Sequence, residues 1–158
     1  MPIIVSYPGL SAPKNATHDA LVSKDIYPTL LELCKSKDQP GNLDGQNLVP
    51  LLEKKDPATG HDHLCWADGK GNWLIRQGPW KLIQSKGWEH SSYTLDETGT
   101  AHPADPIAYP KGLLLFNLTT DIGETKNLAD SHPQRVQSMT ALYEAWRAKM
   151  GKPTRAKK

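Results

Sequence analysis

The sequence predicts an α+β fold in which a small antiparallel sheet packs on a C-terminal helix, with a strand and a helix of a separate layer before them. Three observations predict it. Short runs of aromatic and β-branched residues alternate with turns between positions 64 and 118. An amphipathic helical pattern follows at positions 131–150, and an apolar strand and helix precede position 55. Because the strands come before the long helix, this helix is expected to cover one face of their sheet.

The first part of the chain contains one predicted strand and one predicted helix. Ile3–Val5 is a continuous β-branched run that stops at Pro8 and Gly9, which is typical of a buried strand. From Asp25 to Cys34 apolar residues recur at helical spacing, and Ser23 or Asp25 can cap this helix. Since most of its circumference is apolar, we expect cover on two sides.

The charged run at positions 53–57 marks an expected boundary, beyond which the pattern changes to strands. A short connection through Gly78 and Pro79 predicts that the second and third strands form a hairpin. Residues 85–111 are polar and lack periodicity, so we expect a long loop there, either a functional rim or a disordered segment. The predicted strands are Leu64–Ala67, Trp73–Arg76, Trp80–Gln84 and Leu113–Leu118.

The C-terminal helix has a clear start and end in the sequence. Ser131 and Gln134 have the spacing of a capping box, and Pro133 suits the first turn of a helix. Gly151 ends the pattern, and residues 152–158 form a basic tail. The apolar positions expected to face the sheet are Val136, Met139, Leu142 or Tyr143, Trp146 and Met150.

Composition excludes several functional classes. Nineteen basic and seventeen acidic residues give a net charge of +2, without the basic stripe that nucleic-acid binding requires. Two cysteines are too few for a metal cluster or a disulfide framework, although a single bridge stays open. No segment is long and apolar enough to cross a bilayer, and no basic region precedes the first apolar run. We therefore expect no nucleic-acid partner, no membrane partner and no signal peptide.

Five segments resemble, in the same order, segments of the C-terminal third of the sulfatase family. Each motif alone is weak, but five in family order across nearly the whole chain are strong. In the last of them, Ile122 stands where the family usually has proline, a turn position that favours proline without requiring it. The segments are Pro2–Gly9, Val22–Leu31, Leu43–Leu52, Ile75–Leu82 and Leu115–Ala129.

The resemblance implies a sulfuric ester hydrolase with an alkaline-phosphatase-like α/β core and a small C-terminal subdomain. Residues 1–55 would then be a strand-helix piece of that core, and residues 56–151 the subdomain. The family nucleophile is a formylglycine made from Cys or Ser in a Cys-x-Pro-Ser-Arg-type motif, beside a divalent cation that is usually calcium. Neither Cys34 nor Cys65 lies in such a motif. We therefore expect no catalytic residue, metal ligand or cofactor in this chain.

The chain is accordingly expected to be a C-terminal sulfatase fragment that frames a substrate pocket but does not hydrolyse by itself. Its localisation is not predicted, although the family members are often exported or periplasmic. Two alternatives remain. The chain can be a free-standing module that binds sulfated carbohydrate through residues 85–111, or a structural module that forms homo-oligomers through the exposed edge of its N-terminal strand.

Four residues of the expected loop are candidates for contact with a sulfate ester or a sulfated carbohydrate. His102 resembles the position where some sulfatases place a substrate-facing histidine. Lys86, Trp88 and His90 combine a cation, an aromatic ring and an imidazole, which suits a sulfated sugar. Each can instead be an ordinary exposed loop residue. A further pair, His61 and His63, can be metal ligands on one face or part of a solvated loop.

Overall fold

The computed structural model describes residues 5–9, 22–37, 40–53 and 60–150. The predicted strand Ile3–Val5 lies outside these ranges except for Val5, which is not in a strand. Contacts divide the chain into two compact units, residues 1–62 and 63–158, and each is described by itself. In chain order the elements are a 3₁₀ turn Ser23–Asp25, α1 Ile26–Leu33, α2 Val49–Leu52, β1 Leu64–Ala67, β2 Trp73–Gln77, β3 Trp80–Ser85, β4 Trp88–Leu95, β5 Ala101–Tyr109, β6 Gly112–Asn117 and α3 Pro133–Met150.

The second unit is built on a four-stranded antiparallel sheet in the order β1-β2-β3-β6. Leu82 on β3 pairs with Ile75 on β2 and with Leu115 on β6, which produces an apolar row across the sheet. All three side chains are buried and pack against Met139 and Tyr143. The predicted strands, the hairpin and the α+β class with a C-terminal helix are confirmed.

Helix α3 covers this apolar row. The ring of Tyr143 stacks on Trp73 of β2, with centroids 4.1 Å apart and planes 8° from parallel. The predicted helix start is confirmed, but no hydrogen bond of a capping box between Ser131 and Gln134 is found among the described residues, and the Ser131 hydroxyl donates to the Leu128 carbonyl at 3.0 Å. Among the described residues no helix combines the length and the apolarity that a membrane span requires.

The expected loop at residues 85–111 is wrong, because β4 and β5 form a separate two-stranded antiparallel sheet, hereafter the ribbon. The connection is closed by Asp96, whose carboxylate accepts hydrogen bonds from the N–H groups of Thr98 and Thr100. Prolines conceal the strand pattern in the sequence. Pro103 and Pro106 are tolerated in β5 because each strand of a two-stranded sheet has an edge without ladder bonds.

The first unit contains the predicted helix, α1, but its polar contacts differ from the prediction. Asp25 is fully buried and makes no side-chain cap on α1. Its carboxylate instead accepts hydrogen bonds from the N–H groups of Val22 and Gln46, both at 2.9 Å. The expected cover on two sides of α1 is not seen among the described residues, since Ile26 and Leu30 are 48% and 52% exposed. The cap prediction is wrong for Asp25, because its carboxylate binds the N–H of Val22, just before the 3₁₀ turn, and that of Gln46, rather than an N–H of α1.

Candidate functional site

The ribbon emerges from the end of β3 and returns into β6, and a buried serine ties its base together. The Ser85 hydroxyl donates to the Tyr109 carbonyl at 3.1 Å and accepts from the Gly87 N–H at 3.0 Å. Gly87 has a φ of +81°, a left-handed conformation that glycine adopts without steric cost. The chain can therefore turn sharply from the four-stranded sheet into the ribbon.

The register of the ribbon places three of the four candidate residues on one face. Position 88 pairs with Tyr109, position 90 with position 107, and Thr94 with His102. The extra residue of the bulge lies on β5, opposite Ser91, so β4 keeps its two-residue alternation. Positions 88, 90 and 102 thus share a face of the ribbon, hereafter the candidate face, although they are separated in the sequence.

His102 is held by the connection between the two strands. Its Nε2 lies 2.8 Å from Oδ2 of Asp96, and the imidazole remains 56% exposed. Hydrogen bonds from the Thr98 hydroxyl, then from His102 and from the Thr100 N–H, hold the pKa of Asp96 well below its usual range. Asp96 therefore stays ionised and orients the His102 ring at an accessible position.

Lys86 lies at the base of the ribbon beside a second lysine that sequence reasoning missed. The Lys86 N–H donates to Oδ1 of Asn72 at 2.7 Å, and its side chain crosses Gly71. The side chain of Lys111 crosses Gly87, where a methyl group would lie 3.1 Å from the Lys111 Cγ. Both lysines are exposed, and no ion pair to either is found among the described residues. The signal that could have pointed to Lys111 is Gly87, whose missing side chain leaves room for that of Lys111.

The opposite face of the ribbon contains an open cavity of about 440 Å³. Tyr93 is exposed there, and Glu89 is the charged residue of the lining. A carboxylate repels sulfate, so this face is unsuited to a sulfated ligand. The lining residues are Glu89, Ser91, Tyr93, Pro103, Ala104 and Pro106.

Comparison with known proteins identifies the family. No protein-family model matches the chain. Arylsulfatase A of Bos taurus is 31% identical over 150 residues, which cover 89% of this chain and 29% of that protein. A sulfatase of Formosa agariphila is 25% identical over 168 residues, which cover 98% of this chain and 28% of that protein. The chain belongs to the sulfatase family. It corresponds to the C-terminal region of these arylsulfatase-like proteins and spans less than a third of their length.

Solved structures agree on the fold. A 2-O GAG sulfatase matches with a TM-score of 0.54 and 19% identity, over 79% of this chain and 24% of that chain. A protein solved in complex with its substrate D-glucosamine-2-N,6-O-disulfate matches with a TM-score of 0.52 and 16% identity, over 84% of this chain and 25% of that chain. Both likenesses show that the sheet-plus-helix fold of this chain is found in solved sulfatase structures.

The described residues do not fit the calcium and formylglycine of sulfatases. No group of three or more His, Cys, Asp or Glu side chains that could hold a metal is found among them. Neither Cys34 nor Cys65 is followed by the x-Pro-Ser-Arg part of the nucleophile motif. The hypothesis of a ligand pair is not supported, because Nε2 of His61 lies 2.7 Å from Oδ1 of Asp25 in the first unit, whereas His63 begins the second. The solvated-loop alternative is wrong for His61, since its side chain is only 9% exposed.

Proposed function

We propose that this chain is the substrate-framing C-terminal part of a sulfuric ester hydrolase and is inactive by itself. The observation that carries the proposal is the candidate face of the ribbon, which aligns positions 88, 90 and 102 in a sulfatase subdomain. Lys86 and Lys111 at the base of the ribbon add two cations for a sulfate group. We expect the candidate face and the two lysines to border a substrate pocket whose catalytic groups belong to another part of the whole enzyme.

Inactivity of the isolated chain follows from the chemistry of sulfate transfer. Hydrolysis needs an activated nucleophile, stabilisation of the transferring group and an acid for the leaving oxygen in one pocket. Cys34 is exposed and Cys65 is half-buried beside Tyr143, and neither lies in the Cys-x-Pro-Ser-Arg-type motif of the family nucleophile. The calcium and formylglycine of the family belong, in this proposal, to the part of the enzyme outside this chain.

A chromogenic aryl sulfate tests inactivity. The isolated chain should release no chromophore above the buffer rate, either with added calcium or with a chelator. A bovine arylsulfatase A preparation in the same buffer is the positive control. Metal-dependent turnover of the isolated chain would overturn the proposal, because the sequence has no nucleophile motif to account for it.

A second candidate function is recognition of a sulfated sugar without hydrolysis. It is favoured by the two lysines at the ribbon base, which have no carboxylate partner among the described residues. It is also favoured by the fold neighbour that binds D-glucosamine-2-N,6-O-disulfate. A sulfated ligand would contact Lys86 and Lys111 at one end and the candidate face along its length.

Calorimetric titration with D-glucosamine-2-N,6-O-disulfate tests this candidate. Removing both lysines with K86A and K111A should weaken binding about a hundredfold or more, since each charge-assisted hydrogen bond contributes roughly 1.5–3 kcal/mol. K126A removes an exposed lysine far along the chain and should leave binding unchanged. Unsulfated glucosamine should not bind. Equal affinity of the wild type, the double lysine variant and a W88A–H102A variant would reject the ribbon as the site.

A third candidate is assembly into homo-oligomers. The N-terminal strand that predicts it lies outside the described residues, so its support comes from the apolar side chains of α1. Ile26, Tyr27 and Leu30 each expose about half of their surface. Analytical ultracentrifugation decides this candidate, because a strictly monomeric folded chain at all concentrations would exclude it.

A further inference from the structure

A second polar cluster ties the ribbon to the four-stranded sheet through one carboxylate. Lys81 lies on β3, Tyr109 is the last residue of β5, and Glu124 follows the turn after β6. The Lys81 ammonium donates to Oε1 of Glu124 at 2.6 Å, and the Tyr109 hydroxyl donates to Oε2 at 3.2 Å. One carboxylate therefore receives a donor from the sheet and a donor from the ribbon. We call these three residues the Glu124 clamp.

The backbone of Glu124 is held in an unusual conformation by its own turn. Its φ of +56° lies in the left-handed region that glycine favours. The carboxylate of Asp121 accepts from the N–H groups of Thr125 and Lys126 at 3.0 and 2.9 Å, and the Glu124 N–H donates to the Asp121 carbonyl. The turn therefore fixes the main chain around Glu124, and the contacts with Lys81 and Tyr109 hold its carboxylate.

The surroundings of the clamp make its contacts specific. The side chains of Lys81 and Glu124 are only 20% and 17% exposed, so an unpaired charge at either position would be costly. Tyr109 packs against the buried Ile83, Leu114 and Phe116 on the sheet face opposite α3. Burial, and then the charge of Glu124, raise the pKa of the Tyr109 phenol, which therefore keeps its proton as a donor.

The clamp and Ser85 hold the same strand in different ways. Ser85 binds the main-chain carbonyl of Tyr109 and fixes where the ribbon begins. The phenol of Tyr109 binds a group on another part of the sheet and fixes the direction in which the ribbon leaves it. An isolated two-stranded ribbon is only marginally stable in water, so such anchors decide its orientation. Tyr109 pairs with position 88, the first position of the candidate face.

We propose that Glu124, through Lys81 and Tyr109, is the positioning residue that orients the ribbon and thereby the candidate face. The clamp itself stands on the contacts above, and its consequence for a sulfated ligand rests on the proposed function. Glu124 touches no ligand in this scheme. It acts through Tyr109, and because the two strands of the ribbon are paired, the orientation of Tyr109 sets that of positions 88, 90 and 102 together.

Hydrogen exchange with mass spectrometry on the full chain tests the clamp. Y109F removes one hydroxyl and should speed exchange of ribbon amides about fivefold, the effect of one net hydrogen bond, with β2, β3 and β6 unchanged. Y93F is the matched control, because it removes the hydroxyl of an exposed tyrosine on the opposite ribbon face. E124G deletes the carboxylate while relieving the positive φ, and it should loosen the ribbon as Y109F does. Unchanged ribbon exchange, or an equal rise in all segments, would overturn the proposal.

Titration of the tyrosine phenols measures the pKa of Tyr109, which Glu124 should change through its charge and not through packing alone. The difference in ultraviolet absorbance between wild type and Y109F isolates the phenolate of Tyr109. E124Q removes the negative charge but keeps the size of the side chain, so it should lower the pKa of Tyr109 toward its ordinary value. If E124Q leaves this pKa in place, Glu124 does not contact the phenol in solution and the clamp is wrong.

Ligand titration separates the clamp from the proposed function. If the wild type binds D-glucosamine-2-N,6-O-disulfate, Y109F should bind it more weakly and Y93F equally well. If the wild type does not bind it, yet Y109F and E124G still loosen the ribbon, the clamp stands and ligand recognition by this chain fails. Binding that is unaffected by Y109F and E124G despite a loosened ribbon would overturn the link between orientation and recognition.

Discussion

The two units of the chain differ in the residues that they bury. In the second unit the buried side chains are mostly apolar, as Leu82, Leu115 and Met139 show, with Ser85 as the buried polar one among the described residues. In the first unit Asp25 and Thr29 are buried together with Leu48, whereas Ile26 and Leu30 on the same helix as Thr29 are half-exposed. The second unit therefore has an apolar core of its own, whereas a buried polar network is prominent in the first. Sulfatase membership alone does not reveal this difference.

The polar network of the first unit is specific rather than strong. The Thr29 hydroxyl donates to the Asp25 carbonyl at 2.6 Å and accepts from the Leu48 N–H at 2.9 Å. Together with the donors on the Asp25 carboxylate, it connects α1 to the segment that leads into α2. Each such bond contributes only about 1 kcal/mol net, but a buried group left without its partner costs roughly 1–3 kcal/mol. Four experiments test this contrast between the two units.

The largest effect is expected in the apolar core of the second unit. Leu115→Ala should destabilise the chain by about 3 kcal/mol, because it leaves a cavity between Ile75, Leu82 and Met139. Urea unfolding followed by circular dichroism measures the change. Leu95→Ala is the control, since Leu95 is 71% exposed, and its effect should stay within about 0.5 kcal/mol. Equal effects of the two variants would contradict the assignment of this core.

Asp25→Ala should break the first unit and spare the second. It leaves the Val22 and Gln46 N–H groups and His61 without their acceptor, which we expect to cost about 2 kcal/mol within residues 22–53. Hydrogen exchange should rise in this segment and stay constant in β3 and β6. Asp44→Ala, at an exposed position in the same unit, is the control. A uniform rise in both units would mean that the network is not local.

Acid should weaken the second unit through its turns. Hydrogen bonds from the N–H groups of Thr125 and Lys126 lower the pKa of Asp121 below its ordinary value of 3.8. The pKa of Asp121 is lower in the folded chain than in the unfolded chain, so its ionised carboxylate stabilises the fold fully above pH 3.8. This stabilisation is lost as the pH falls through the pKa of the folded chain. At pH values below 3.8 the urea concentration at the unfolding midpoint should therefore decrease, and Asp121→Asn should make this decrease smaller. An unchanged acid profile in the variant would argue against the turn as its source.

The smallest effect on stability is expected at the exposed surface of α1. Leu30→Ser removes an apolar side chain that is already half-exposed, so the free energy of unfolding should change by no more than about 0.5 kcal/mol. If this surface mediates assembly, the same variant should shift the sedimentation profile toward monomer. A loss of more than 2 kcal/mol would mean that Leu30 belongs to a core.

The sequence predicts those parts of the fold that local patterns determine. The strands β1, β2, β3 and β6 and the helix α3 are predicted because their apolar runs and periodicity are local. The ribbon is missed because Pro103 and Pro106 conceal its alternation and because the Asp96 turn depends on side-chain hydrogen bonds. The buried pair of Asp25 and His61 is missed because the two residues are 36 positions apart and share no pattern.

The candidate site is predicted in composition but not in arrangement. Residue chemistry in one stretch of sequence points to Lys86, Trp88 and His90, and the family resemblance points to His102. Their common face depends on the register of the ribbon and on a bulge in β5, neither of which the residue types specify. Glu124 has no visible signal as a positioning residue, because its role depends on Tyr109 and on a left-handed backbone.

The buried hydroxyl of Ser85 joins the ribbon to the sheet in a way that tolerates changes of sequence within the ribbon. Both of its partners are main-chain atoms, those of Gly87 and Tyr109, so the junction does not depend on which side chains lie between them. Substitutions along β4 and β5 can alter shape and charge while the sheet beneath keeps its register. The outer positions of the ribbon can thus vary without rebuilding the four-stranded sheet.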